Sequence, residues 1–263
     1  MFVIGLAQID IVWENKIKNY SKIESFFQTA QKQKVQFIIF PEMVFTGFTM
    51  NTAILDIAAN ELKWIINKCK QYCMYAGVGY ALKENNISKN CFAIISPNGE
   101  IISNYTKIHL FSHADEQNYY RKGNEIVFAN INDFCVSTFL CYDLRFPEIF
   151  QYSSSKANML IIAANWPKVR INHWRNLLIS RAIETQSYVV GVNRTGATNS
   201  IEYTGASMII NPYGEIISEI SNEEKLIIGN ADINDVIKVR DEFNTKRDCQ
   251  ISFYRNLYKE YLN

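Results

Sequence analysis

The chain has 263 residues, 48% of them hydrophobic and 20% charged, with a formal net charge of +1. That length and composition fit one large globular domain, residues 1–263, with a substantial buried core, and exclude a fibrous or disordered chain. So small a charge offers no field for capturing nucleic acid or an anionic membrane surface, so a small-molecule partner is expected.

The opening stretch MFVIGLAQID lacks the basic start and small-residue cleavage site of a secretory signal. Charge also interrupts every apolar run well short of the roughly 20 residues that span a bilayer. A cytoplasmic protein is expected. Cys69, Cys73, Cys91, Cys135, Cys141 and Cys249 are too sparse for a disulfide scaffold in a chain this long and read mostly as buried thiols.

In chain order, FVIGLAQI reads as a strand, and Ile23, Phe26, Phe27 and Ala30 then fall on one helical face. VQFIIF, stopped by Pro41, reads as a strand buried on both faces. A second helix carries Leu62, Ile65, Ile66, Cys69 and Cys73 on one stripe, before the strand YAGVGYAL. NCFAIISPNGEIISNYTK flanks a Pro-Asn-Gly turn and predicts a β-hairpin. DFCVSTFLC and ANMLIIAANW are strands separated by a short helix after Pro147. HWRNLLISRAIETQ is a helix with Trp174, Leu177, Leu178 and Ala182 inward, and SYVVGVNR is a strand. SMIINPYGEIISEI forms a second hairpin, and KLIIGNADI is the last strand. From about residue 233 the chain is polar with scattered aromatics, a tail expected to pack outside or on a second subunit. Helices alternating with this many strands predict two stacked mixed sheets between helical layers.

Three stretches share one design: FIIFPEMVFTGF, EIISNYTKIHLF and FLCYDLRFPE each end a β run and then present a polar residue, at the position where α/β sheets collect ligands. Those residues are Glu42, Lys107 and Cys141. In isolation each has a plainer reading: a carboxylate in a first turn, a solvated lysine, and the last small hydrophobe of a strand. Together they supply a base, an electrostatic stabiliser and a nucleophile, the parts of nucleophilic acyl transfer.

FPEMVFTGF, YTKIHLF and LCYDLRFPE, followed by AANWP, HWRNLLISRAIETQSYVVGVNRTG and YTGASMIINPYGE, resemble the carbon-nitrogen hydrolase (nitrilase) superfamily, and within it the omega-amidase branch. The likeness runs from the first strand to about Asp232. It implies an α/β fold, a four-layer α/β/β/α sandwich with two mixed sheets, in subunits that pair as homodimers or higher oligomers, with no metal and no cofactor. It implies Glu42 as general base, Lys107 as oxyanion stabiliser with the Tyr142 backbone N–H, and Cys141 as nucleophile. A second positioning glutamate is matched best by Glu116 in HADEQNYY, with Asp115 as the neighbouring alternative. Phe48, Tyr142 and Trp166 are expected to shape the substrate site, Trp166 being equally readable as a core lid. Arg145 could recognise a substrate carboxylate, but pairing with Asp143 or Glu148 is the expected role.

The implied reaction is hydrolysis of the terminal amide of a small 2-oxo dicarboxylic acid monoamide; the alternatives are deaminated glutathione or another small amide. CYD after the strand fits amidases, whereas nitrilases usually follow the cysteine with Trp-Glu. A Cys/His enzyme using His109, His113 or His173 lacks the local signatures. Cys69 and Cys73 have no second pair to complete a metal site, and GVG at 77–79 lacks the rest of a dinucleotide fingerprint. The reading from a different class is a non-catalytic binding protein on the same fold.

Overall fold

A computed structural model describes residues 1–55, 59–198 and 200–261. Its first strands are β1 (Phe2–Gln8), β2 (Phe37–Ile39), β3 (Tyr75–Glu84), β4 (Ile87–Ile95) and β5 (Ile101–Thr106). There follow β6 (Phe128–Ile131), β7 (Phe134–Leu140), β8 (Met159–Ala164), β9 (Tyr188–Asn193), β10 (Thr195–Thr198), β11 (Ile201–Ile210), β12 (Ile216–Ser221) and β13 (Lys225–Ala231). The helices are α1 (Lys16–Lys32), α2 (Asn60–Tyr72), α3 (Pro147–Ser153), α4 (Ile171–Thr185), α5 (Ile233–Glu242) and α6 (Ile251–Tyr261).

The strands form two mixed sheets. One is six-stranded, β13-β1-β2-β3-β4-β5, and the other seven-stranded, β10-β11-β9-β8-β7-β6 with β12 beside β11. Parallel pairing runs through β1-β2-β3 in the first and β7-β8-β9 in the second; the hairpins add antiparallel edges. Alternation along the strands sorts side chains between two layers. Phe2, Ile4 and Leu6 of β1, Phe37 and Ile39 of β2, and Phe92 and Ile94 of β4 enter a core shared with Phe134, Val136 and Met159 of the other sheet. Ala7, Ile38, Cys91, Ala93 and Ile95 point the other way, onto Ile23, Phe27, Ile65 and Cys69 of α1 and α2. Trp174, Leu178 and Ala182 of α4 cover the outer face of the second sheet. This is the expected α/β/β/α order.

Local differences have local causes. Cys73 is exposed and caps α2 in the left-handed region (φ 50°), so the predicted stripe overshoots the helix by one residue. Leu177 is only partly buried, at the margin of the α4 face. A hairpin between β3 and β4 turns on Asn85 and Asn86, both at positive φ (47° and 62°), the conformation a two-residue hairpin loop favours. The segment after 233 is more ordered than a tail. α5 is capped by the Asp232 side chain and buries Val236 and Val239, while α6 leaves Ile251, Phe253, Leu257 and Tyr258 exposed. Among the described residues no helix is long and apolar enough to cross a membrane.

Candidate active site

Glu42 follows the end of β2, on a turn in which Met43 takes a positive φ of 45°. The turn is stitched to β3: the Phe40 N–H donates to the Gly77 carbonyl at 2.8 Å and the Val44 N–H to the Gly79 carbonyl at 2.9 Å. Gly79 lets the turn lie this close. A Cβ there would sit 2.4 Å from the Pro41 oxygen and 2.5 Å from Glu42 Cα, backbone atoms that cannot swing aside. The glycine of the GVG stretch thus has a local reason: it backs the glutamate. Gly79→Ala should cost about 1–3 kcal/mol of stability, as overpacking does, and displace Glu42. Urea unfolding together with turnover checks this, and a variant with unaltered turnover would contradict it.

Lys107 follows β5, its N–H held by the Asn90 carbonyl of β4 at 2.9 Å. Far from being a solvated lysine, it is fully buried, as are Glu42 and Glu116. Its ammonium donates to Glu42 Oε1 at 2.9 Å and to Glu116 Oε2 at 2.9 Å. Asn90 Nδ2 binds the same two carboxylates at 2.8 and 2.9 Å, and the Phe111 N–H fixes Glu116 Oε2 at 2.6 Å. Burial alone would lower the Lys107 pKa, but Glu42 and then Glu116 outweigh it and hold the group well above its ordinary value. Asp115, in the left-handed region at φ 55°, is exposed. The structure brings Glu116 into the cluster and leaves Asp115 outside.

Cys141 begins the short turn Cys141–Arg145 after β7 with φ 41°, a strained conformation for a residue with a Cβ. Buried Asp143 holds that turn. It accepts from the Leu140 N–H at 2.9 Å, from Tyr105 Oη at 2.7 Å and from the His109 N–H at 2.9 Å, and it meets His109 Nδ1 at 2.8 Å. The segment carrying Lys107 is thereby tied to the one carrying Cys141. Asn165, just past β8, joins Glu42 to the thiol: its N–H donates to Glu42 Oε2 at 3.1 Å and its Nδ2 to the Glu42 carbonyl at 2.7 Å, while its own carbonyl lies 4.0 Å from the sulfur. Burial first, and Glu42 second, push the Cys141 thiol well above its ordinary pKa, partly offset by Lys107. His109 is engaged by Asp143 and stacked on Phe146 at 3.8 Å, a prop for the turn.

Cys141 lines a cavity of about 90 Å³ shared with Phe48, Tyr142 and Trp166, the residues expected to meet substrate. Phe48 also lies under the Lys107 ammonium, 5.0 Å from ring centroid to Nζ, and Tyr142 tilts against Phe111 at 5.0 Å. Trp166 is both wall and core: it is 2% exposed and packs on Trp174 at 5.5 Å. The expected pairing of Arg145 with Asp143 or Glu148 does not occur. Asp143 is taken by the contacts above, Glu148 accepts from Tyr258 Oη at 2.9 Å, and Arg145 lies over the Trp166 ring, lining the cavity. Sequence reasoning missed Asn90, Asn165, Arg170 and the structural parts of Gly79 and Asp143. The polar Asn90 within the apolar run NCFAII was the available signal.

The α/β/β/α sandwich thus gathers Glu42, Lys107 and Glu116 in one buried cluster beside the partly buried Cys141, at the ends of strands from both sheets. The family model described as carbon-nitrogen hydrolase matches residues 3–241, and the chain belongs to that family. It is 32% identical over 260 residues to a 2-oxoglutaramate amidase of Bacillus subtilis (strain 168), covering 96% of this chain and 99% of that one. To the omega-amidase YafV of Escherichia coli (strain K12) it is 35% identical over 217 residues, covering 82% and 83%. Among solved structures, XC1258 from Xanthomonas campestris, a CN-hydrolase superfamily protein, superposes with a TM-score of 0.89 at 25% identity, covering 95% of this chain and 97% of that one.

Proposed function

We propose that this amidase removes the terminal amide of a small 2-oxo dicarboxylic acid monoamide, releasing ammonia through a thioester on Cys141. The observation that carries the reading is the fully buried Lys107 ammonium held between Glu42 and Glu116 beside the cavity that Cys141 lines. Similarity to enzymes named for 2-oxoglutaramate and omega-amides supports the substrate class.

Glu42 takes the thiol proton as sulfur bonds to the amide carbon, and Lys107 with the Tyr142 N–H receives the charge that gathers on oxygen. Glu42 returns the proton to nitrogen, the C–N bond breaks and ammonia leaves. Water, giving its proton to Glu42, then attacks the thioester; the C–S bond breaks, the thiol recovers that proton and the acid departs. Glu116 keeps the ammonium in place. Asn165 Oδ1, buried with no partner among the described residues and on a cavity-lining residue, offers an acceptor for the amide –NH₂. The 4.0 Å contact with Asn165 and the turn strain at Cys141 support a sulfur fixed in one orientation.

Ammonia release from 2-oxoglutaramate, its four-carbon homologue and the amide of deaminated glutathione tests the assignment. Turnover led by the 2-oxo monoamides is expected; no turnover of either would remove it. Generic thiol reagents discriminate poorly, because Cys73 and Cys249 are exposed. We also propose a homodimer, for which the outward apolar residues of α6 speak; sedimentation equilibrium of the full chain at twice 30.4 kDa is expected, and a monomer would refute it.

A further inference from the structure

We propose that the Tyr203 hydroxyl donates a hydrogen bond to the 2-oxo oxygen of the substrate, and so sets the preference for 2-oxo amides over amides that lack this oxygen. The inference rests on the omega-amide reading and deepens it. Tyr203 lies on β11 and lines the cavity that Cys141 lines. It is 8% exposed, and among the described residues its hydroxyl has no hydrogen-bond partner.

That sets it apart in this chain. A buried phenol ordinarily finds a partner, and the other buried tyrosines among the described residues all do. Tyr80 has Asn104, Tyr105 has Asp143 and Tyr120 has the Thr49 carbonyl, while Tyr72 and Tyr188 donate to the carboxylates of Glu24 and Asp235. A hydroxyl left open beside the nucleophile is completed by an acceptor on the ligand.

The ring is seated from behind. The fully buried Arg194 guanidinium lies against it, Cζ 4.4 Å from the centroid, and is itself held by the Ile11 carbonyl at 2.8 Å, Thr198 Oγ1 at 2.9 Å and Asp10 Oδ1 at 3.3 Å. Burial pushes the phenol up to about 12, with Arg194 pulling the other way, so near neutral pH it keeps its proton and donates. Cys141 and Glu42 add to the rise, so the hydroxyl lies within electrostatic range of the reacting end. The polar atoms of the amide are already provided for: its carbonyl by Lys107 and the Tyr142 N–H, its –NH₂ by Asn165 Oδ1. The phenol is thus left for an oxygen further along the chain. A ketone there accepts one such bond, and a methylene accepts none.

The test compares the full-length wild type with Tyr203→Phe on 2-oxoglutaramate and on glutaramate, which keeps the chain length and the carboxylate and has a methylene in place of the ketone. The variant loses one oxygen that bonds nothing in the protein, so its urea midpoint should match the wild type; a lowered midpoint would mark the hydroxyl as structural and overturn the contact. Its kcat/KM for 2-oxoglutaramate relative to glutaramate should fall by about 3- to 10-fold, the size of one lost neutral hydrogen bond. The change should lie mainly in KM. An unchanged ratio would overturn the contact, as would equal losses on both amides, the result expected if the phenol met the carboxylate instead. So would a wild type without preference between the two. Calorimetry separates the contact from the reading beneath it. If wild type hydrolyses neither amide, the omega-amidase reading falls, while the contact stands or falls on whether wild type binds 2-oxoglutarate at least about threefold more tightly than glutarate and Tyr203→Phe does not.

Discussion

Cys141→Ala will release ammonia at least about 10⁴-fold more slowly than the wild type, because deleting the nucleophile of a unit that acts together removes nearly all its catalysis. The protein should stay folded. Cys141 is only partly buried, the change removes one sulfur, and the turn around it is held by Asp143 through Leu140, Tyr105 and His109, none of which the substitution touches. Urea unfolding and ammonia assays on the same preparation separate the two effects. Retained turnover would show that sulfur is not the nucleophile.

Lys107→Met should be the most damaging substitution for stability and should also slow the reaction. It leaves Glu42 and Glu116 buried, joined by Asn90 and without their cation, and breaking a buried pair by removing one partner costs about 3–5 kcal/mol. Loss of the oxyanion contact should lower kcat by a further ~10²–10³-fold. Adding Glu116→Gln removes one of the stranded charges, so the double variant should regain stability without regaining turnover. Recovery of both would make Lys107 purely structural. The sign with pH follows from the raised folded pKa of Lys107. Its stabilising contribution is fully present below the ordinary lysine value of about 10.4 and disappears only as pH climbs through the higher folded value. Alkaline loss of activity near neutrality is therefore not expected from this group.

Much of the architecture was legible because period-two alternation and turn residues act locally. FVIGLAQI, VQFIIF and the Pro-Asn-Gly hairpin became β1, β2 and the β4-β5 pair on pattern alone. Glu42, Lys107 and Cys141 stood out because each follows a strand end. What was not legible depends on partners distant in sequence. Lys107 looks solvated until Glu42, 65 positions away, is brought to 2.9 Å. Asn165 matters through Glu42, 123 positions away. Arg145 was assigned to sequence neighbours, yet within one tight turn Asp143 points inward to Tyr105 and His109 while Arg145 points over Trp166. Cys73 shows the opposite error: helical spacing continued on paper where the chain had already turned.

The most direct measurement is intact-protein mass spectrometry of enzyme quenched in acid during turnover of 2-oxoglutaramate. The account predicts a population heavier by the mass of substrate less ammonia, mapped by peptide digestion to Cys141 and absent from Cys141→Ala. Steady ammonia release by the Cys141→Ala protein, or an adduct mapped to any other cysteine, would contradict it.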